Sequence, residues 1–224
     1  MKSIFSLFFI AAMTIGFVSC GQNTTQNNIA QDNTDQNTKT DHSKDSKAYF
    51  AAGCFWHEEG LFQTIKGVND VVSGYAGGTA KNPDYEMVEI GNTGHAESVV
   101  VYYDPSKISY ETLLKVYFAA QDPTQTNGQA PDFGSQYRSI AFYTNNTEKE
   151  QIDNYIKQLN ASGKYKAPIA VNVMPLTKFW TAENYHQDYI KKNPNSMYVD
   201  HVSIPEIKSF QKEYPQLVKK GDFF

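Results

Sequence analysis

Ala48-Tyr49-Phe50-Ala51-Ala52-Gly53-Cys54-Phe55-Trp56 is a short apolar strand that runs through a glycine into a helix. Ala48 to Ala52 is compact and bounded by polar sequence, as a buried strand is. From Cys54 to about Ile65, the residues Phe55, Leu61, Phe62 and Ile65 fall at helical spacings, and Gly67 closes the helix. The junction puts Cys54 at a helix start, beside two large aromatic side chains. A thiol there faces unpaired backbone N–H groups, which favour thiolate. Glu58 and Glu59, in the first turns, push the other way. A reactive nucleophile beside an apolar pocket is one reading of Cys54, and a buried structural cysteine is the other.

Outward from this junction, strands and helices alternate. Val68 to Tyr75 carries β-branched residues and ends in Ala76-Gly77-Gly78. Ser98 to Tyr103 is the clearest strand, stopped by Asp104-Pro105. Ser109 caps a helix reaching Ala120. Gln121 to Gln136, rich in Gly, Pro, Asn and Asp, is too long for a passive connection and is expected to carry function. Then follow a strand from Arg138 to Tyr143, a helix from Thr147 to Leu159 capped near Asn146, and a strand from Ile169 to Val173. Ala182 to Lys192 is expected to be a helix, and Pro205 to Tyr214 another. The class is α/β or α+β, and periodicity does not set the strand order.

The N-terminal segment has a different character. Lys2 precedes an apolar run from Ile4 to Val18, too short for a comfortable membrane span and shaped like a secretory leader. It ends Phe17-Val18-Ser19-Cys20-Gly21, similar to the bacterial lipoprotein box, with Phe17 where leucine is usual. Cys20 is therefore expected to be the lipidated N-terminus after residues 1–19 are removed. A plain signal peptide cut nearby is the alternative. Residues 20–47 are the lipidated Cys followed by Gln, Asn, Thr, Asp and Lys, a composition that cannot bury enough surface to order itself. As a random coil this tether spans roughly 30 Å. Residues 48–224 are the right size for one compact catalytic domain. The expected location is a bacterial cell envelope, with the chain lipid-anchored and facing the periplasm. With a formal charge of −4 and no basic face, nucleic acid is excluded as a partner, and a monomer is expected.

The residues around Cys54 resemble the signature of the A-type peptide methionine sulfoxide reductases. Gly53-Cys54-Phe55-Trp56 with Glu59 is followed in order by Gly74-Tyr75-Ala76-Gly77-Gly78, Asn82-Pro83-Asp84-Tyr85 and Gly94-His95-Ala96-Glu97. Asp122-Pro123-Thr124, Pro131 to Ser139 and Ala182-Glu183-Asn184-Tyr185-His186-Gln187 continue the match. The resemblance implies reduction of methionine sulfoxide of S configuration on a two-layer, ferredoxin-like α/β sandwich with a mixed sheet. It also implies the site. Cys54 attacks the sulfoxide sulfur, Glu97 is the acid that protonates its oxygen, and Tyr85 and Tyr137 donate hydrogen bonds to that oxygen. Phe55 and Trp56 bracket the substrate's methyl group, and Asp132 orients polar groups or water. To serve as an acid near neutral pH, Glu97 must be raised by about three pH units, within what burial achieves.

Other residues receive plainer readings. His186 is structural, Arg138 pairs with a carboxylate, and His57 is an exposed histidine. His95 and Glu97 lack the spacing and company of a metal site, so no metal or cofactor is implied. No cysteine occurs between Cys54 and Phe224, and a lipidated Cys20 cannot form a disulfide. The sulfenic acid left on Cys54 must then be resolved by an external thiol, such as a thioredoxin-like protein. Two rival readings remain at this stage: a Cys–His hydrolase using His186 or His201, and a non-catalytic lipoprotein that binds an apolar ligand.

Overall fold

The computed structural model describes residues 41–221 and 223. Cys20, the leader and most of the tether therefore lie outside the described residues. The central strand β1 (Ser46–Ala51) leads through Ala52-Gly53 into α1 (Phe55–Gln63), as the sequence indicates. Gly53 has φ +65°, a left-handed conformation that glycine adopts without a Cβ clash, and this turns the strand sharply into the helix. Next come β2 (Val68–Ala76), a one-turn α2 (Tyr85–Glu89), β3 (Ala96–Tyr103) and α3 (Tyr110–Ala119). Ser109 caps α3 by accepting from the Thr112 N–H at 3.1 Å. The expected loop at 121–136 carries a small hairpin, β4 (Gly128–Gln129) and β5 (Asp132–Phe133).

A 3₁₀ turn (Ser135–Tyr137) leads to β6 (Ile140–Tyr143), then α4 (Asn146–Ser162), β7 (Asn172–Pro175) and β8 (Phe179–Thr181). The short α5 (Tyr189–Lys192) and a π-helical turn (Val199–Ser203) running into α6 (Ile204–Glu213) follow. Six strands form one mixed sheet in the order β7-β6-β1-β3-β2-β8, antiparallel except for the parallel β6/β7 pair.

Alternation along β1 divides the core. Phe50 points to the helical face, where its ring stacks on Phe62 (5.4 Å) and Tyr117 (4.7 Å). Ala51 belongs to a smaller cluster with Ala76, Ala96, Ile140 and Phe142. In the β2/β3 pair, Tyr75 stands opposite Glu97. That register carries Glu97 to the strand end beside the N-terminus of α1.

Two expectations are corrected. Residues 182–192 are not one helix: Thr181 pairs with Gly74 in the sheet, and only Tyr189–Lys192 is helical. The polar side chains of this segment are committed elsewhere. Gln187 binds both the N–H and the carbonyl of Ser73 (2.9 and 3.0 Å), as a strand partner would. The seventh strand begins at Asn172 rather than Ile169, because the Ala170 N–H is taken by the Pro123 carbonyl at 2.8 Å.

Candidate active site

Cys54 is the N-cap residue of α1 and is buried, 8 % exposed. The Trp56 N–H and the Tyr198 hydroxyl are directed at its sulfur. Neither dominates. Burial first, then the neighbouring Glu97, raises the thiol well above its usual range. The helix start therefore does not make Cys54 a resting thiolate. Part of the reason is geometric: the Phe55 N–H of that first turn donates to Glu97 Oε2 at 3.0 Å.

Glu97 is 3 % exposed, and burial pushes its carboxyl up to about 8, against the opposing Phe55 N–H. It is neutral at pH 7, as an acid must be. Cys54 and Glu97 interact directly, so their protons belong to the pair. Glu58 and Glu59, which the sequence set against thiolate formation, are also buried and pushed up to about 8.

A pocket of about 200 Å³ opens on this pair, lined by Cys54, Trp56, Tyr85, Glu97, Asp132, Tyr137 and Tyr198. Six of the seven residues named from sequence for the chemistry are on its wall. Phe55 is the exception. It is 1 % exposed, and its ring packs against Tyr75 (5.8 Å) and His186 (4.9 Å). Successive helix positions diverge by about 100°, so adjacent aromatics do not both face one pocket. Trp56 forms the apolar wall, stacked on Tyr189 at 3.5 Å with its indole N–H donating to His186 Nδ1 at 3.0 Å. His186 is fully buried and held neutral by burial, so it orients Trp56. This agrees with its structural reading.

Tyr85 and Tyr137 reach the pocket by different routes. Tyr85 starts α2, whose N-cap Asp84 accepts from the Met87 N–H at 2.8 Å. Glu183 fixes that start by accepting from the Tyr85 N–H (2.9 Å) and from the Tyr75 hydroxyl (2.8 Å). Tyr137 ends the 3₁₀ turn, and its carbonyl accepts from the Gly53 N–H at 3.0 Å, joining it to the residue before the nucleophile. Burial first, and then Glu97 once it ionises, raise both phenols, which keeps them protonated as donors. Behind them, His95 ties the loop to Gly78 (3.1 Å) and Ala80 (2.8 Å). Arg138 donates to the carbonyls of Ser135 (2.6 Å) and Gly94 (3.0 Å), which corrects the expected carboxylate pairing.

Tyr198 was not legible from the sequence. Its hydroxyl donates to Asp132 Oδ2 and also reaches Cys54. It lies outside every recognised motif, on the segment entering the π-helical turn, and no local signal marks it. His57 is corrected too: it is 7 % exposed rather than on the surface, and burial holds its imidazole down to about 4. Among the described residues, no group of three or more His, Cys, Asp or Glu side chains is placed to hold a metal ion.

A buried thiol paired with a neutral carboxylic acid, ringed by phenols and one indole, is the make-up of an enzyme site built on a cysteine. Neither His186 nor His201, the bases of the Cys–His hydrolase reading, lies on this pocket wall. The profile of the peptide methionine sulfoxide reductases matches residues 46–218, and the chain belongs to this family. It is 47 % identical over 171 residues to peptide methionine sulfoxide reductase MsrA 2 of Mesorhizobium japonicum, covering 76 % of this chain and 88 % of that one. The Picrophilus torridus MsrA is 46 % identical over 166 residues (74 % and 93 %). Among solved structures, reduced Mxr1 of Saccharomyces cerevisiae superposes with a TM-score of 0.63 at 33 % identity, covering 69 % of this chain and 88 % of that one.

Proposed function

We propose that this protein reduces methionine S-sulfoxide, free or in proteins, to methionine, with Cys54 as nucleophile and Glu97 as acid. The observation that carries this reading is the Cys54–Glu97 pair at the mouth of α1, with Tyr85 and Tyr137 on the same pocket wall. Sulfoxide oxygen is a poor leaving group, so attack on sulfur must coincide with protonation of oxygen. Glu97 holds that proton, and two neutral phenols stabilise the charge that develops on oxygen. Trp56 supplies the apolar surface for the methyl group. Asp132 holds the Tyr198 hydroxyl over Sγ. Attack leaves Cys54 as sulfenic acid and releases methionine. With the methyl group against Trp56, only one epimer presents its oxygen to Glu97, Tyr85 and Tyr137, and the family resemblance implies that it is the S epimer. With dithiothreitol as reductant, the S epimer should therefore be consumed and the R epimer left; equal consumption of both would refute the assignment.

The ferredoxin-like description is part of this proposal. Its support is the antiparallel order β6-β1-β3-β2 with α1 and α3 as the crossing helices, to which β7 and β8 are added at the edges. The external thiol, of thioredoxin-like or small-molecule kind, is proposed because no cysteine occurs between Cys54 and Phe224. Lipid anchoring through Cys20 and an envelope location, where the enzyme would repair oxidised envelope proteins, are proposed from the leader and tether sequence alone. Replacing Cys20 with alanine should move the protein from the membrane fraction to the soluble fraction of cells. Retention of the variant in washed membranes would refute the anchor.

A further inference from the structure

Cys54 borders two chambers. Beside the sulfoxide pocket lies a larger one of about 380 Å³, compared with about 30 Å³ for a water molecule, and the two share only Cys54, Asp132 and Tyr198. Its wall includes His57, Glu58, Ala120, Gln125, Glu206 and Glu213. Two of these side chains are more than nine-tenths buried and unpartnered. Both ring nitrogens of His57 and both carboxyl oxygens of Glu58 make no hydrogen bond. Glu206 Oε2 stands 3.5 Å from His57 Nδ1, close enough for charge interaction but not for a formed bond. These four atoms are closed off from solvent, so they make a polar backing to the chamber rather than contacts that a ligand reaches.

The chemistry of Cys54 supplies a use for the chamber. Sulfoxide reduction leaves an oxygen on Sγ, on the side of Glu97, Tyr85 and Tyr137. A thiol displacing that oxygen approaches sulfur in line with the S–O bond, from the side away from the oxygen. We propose that the second chamber is the entrance through which the reducing thiol reaches Cys54, and that it admits neutral or cationic thiols in preference to anionic ones. This deepens the reductase reading above and rests on it.

The wall explains the charge preference. Asp122, Asp132, Glu206 and Glu213 line it, with no lysine or arginine among the described residues there. An anionic thiol meets like charge in a partly desolvated space. In the step itself, the incoming sulfur bonds to Cys54 Sγ and the S–O bond breaks. The thiol's proton ends on the departing hydroxide, and water is lost. A second thiol cleaves the mixed disulfide, restoring the Cys54 thiol and releasing a disulfide. Two thiols are oxidised by two electrons in all, and the sulfenic acid is reduced by two. Glu97, on the side of the departing oxygen, is placed to deliver the proton to it.

The full chain, oxidised by one turnover with methionine S-sulfoxide, should be mixed with 2-mercaptoethylamine, 2-mercaptoethanol or 3-mercaptopropionate. Loss of the Cys54 sulfenic acid is followed and normalised to each thiol's thiolate fraction. The cationic and neutral thiols should react at least about tenfold faster than the anionic one. Ala120→Trp, which fills the chamber, should leave the methionine burst intact and slow resolution about tenfold or more. Slowing of the small thiols alone assigns the chamber to small molecules; slowing of a thioredoxin as well extends it to a protein-borne cysteine. Equal normalised rates for the three thiols, or normal resolution in an Ala120→Trp variant that keeps its burst, would overturn the proposal. If that variant loses its burst through misfolding, the thiol comparison on the wild type decides alone. A wild type with no burst would sink the reductase reading itself.

Discussion

Mixed with excess methionine S-sulfoxide and no reductant, the wild-type protein should release about one methionine per Cys54, and Cys54→Ser should release none. The single equivalent follows from the free thiol: Cys54 is oxidised once and stays so until another molecule reduces it. Serine keeps the size and the hydrogen-bonding capacity of the site but is a far poorer nucleophile toward sulfur. The burst rate should fall by about 10⁴-fold or more, the scale on which removing a nucleophile acts in other enzymes. Quantifying methionine after rapid acid quench reads both numbers at once. Two or more equivalents without reductant would show that some other group resolves the sulfenic acid. A burst from Cys54→Ser would remove Cys54 from the chemistry.

Glu97→Gln should slow the same burst by about 10²-fold or more while leaving sulfoxide binding nearly unchanged, because the amide keeps the shape and loses the proton. The pH profile gives the second signature. Glu97 ionises first, near 8, and Cys54 only well above its usual range. The competent state has one proton on the pair, held by the carboxyl while sulfur is thiolate. Below about 8 the pair holds two protons, so the share of the competent state falls about tenfold for each pH unit. At limiting sulfoxide, the burst rate of the wild type should therefore climb as pH rises toward 8 and level off beyond it. Stopped-flow methionine release across pH 5 to 10 tests this. A Glu97→Gln variant of near-normal rate would dismiss Glu97 as the acid, and a wild-type profile flat below 8 would dismiss the shared proton.

Local signals in the sequence were faithful where the structure is local. The turn at Gly53, the cap at Ser109 and the strand at Val99-Val100-Val101 depend on neighbours within a few residues, and each was legible. Residues 182–188 were misread because their helix-compatible polar side chains serve distant backbone: Glu183 holds Tyr85, and Gln187 holds Ser73. Ordered motifs located Cys54, Glu97, Tyr85, Tyr137 and Asp132 without locating their geometry. The direction of a side chain was the harder matter. Phe55 and Trp56 look equivalent on paper, yet helical rotation buries one and presents the other. His57 reads as a surface residue by type, and only the packing of α6 across α1 encloses it. Tyr198 carries no signal because its partners, Cys54 and Asp132, are far away in the chain.

The links that complete the site span long stretches of the chain. Trp56 meets its histidine 130 residues later, and Tyr85 meets Glu183 after 98. Contacts of such separation form late, once the entropy of closing the loop between them has been met by the rest of the core. A partly folded chain with its central strands already paired would hold the nucleophile without the wall that receives the substrate. Catalytic competence is therefore a property of the finished fold. Loosening of the stretch from 183 to 198 alone would silence the enzyme while most of its secondary structure persisted.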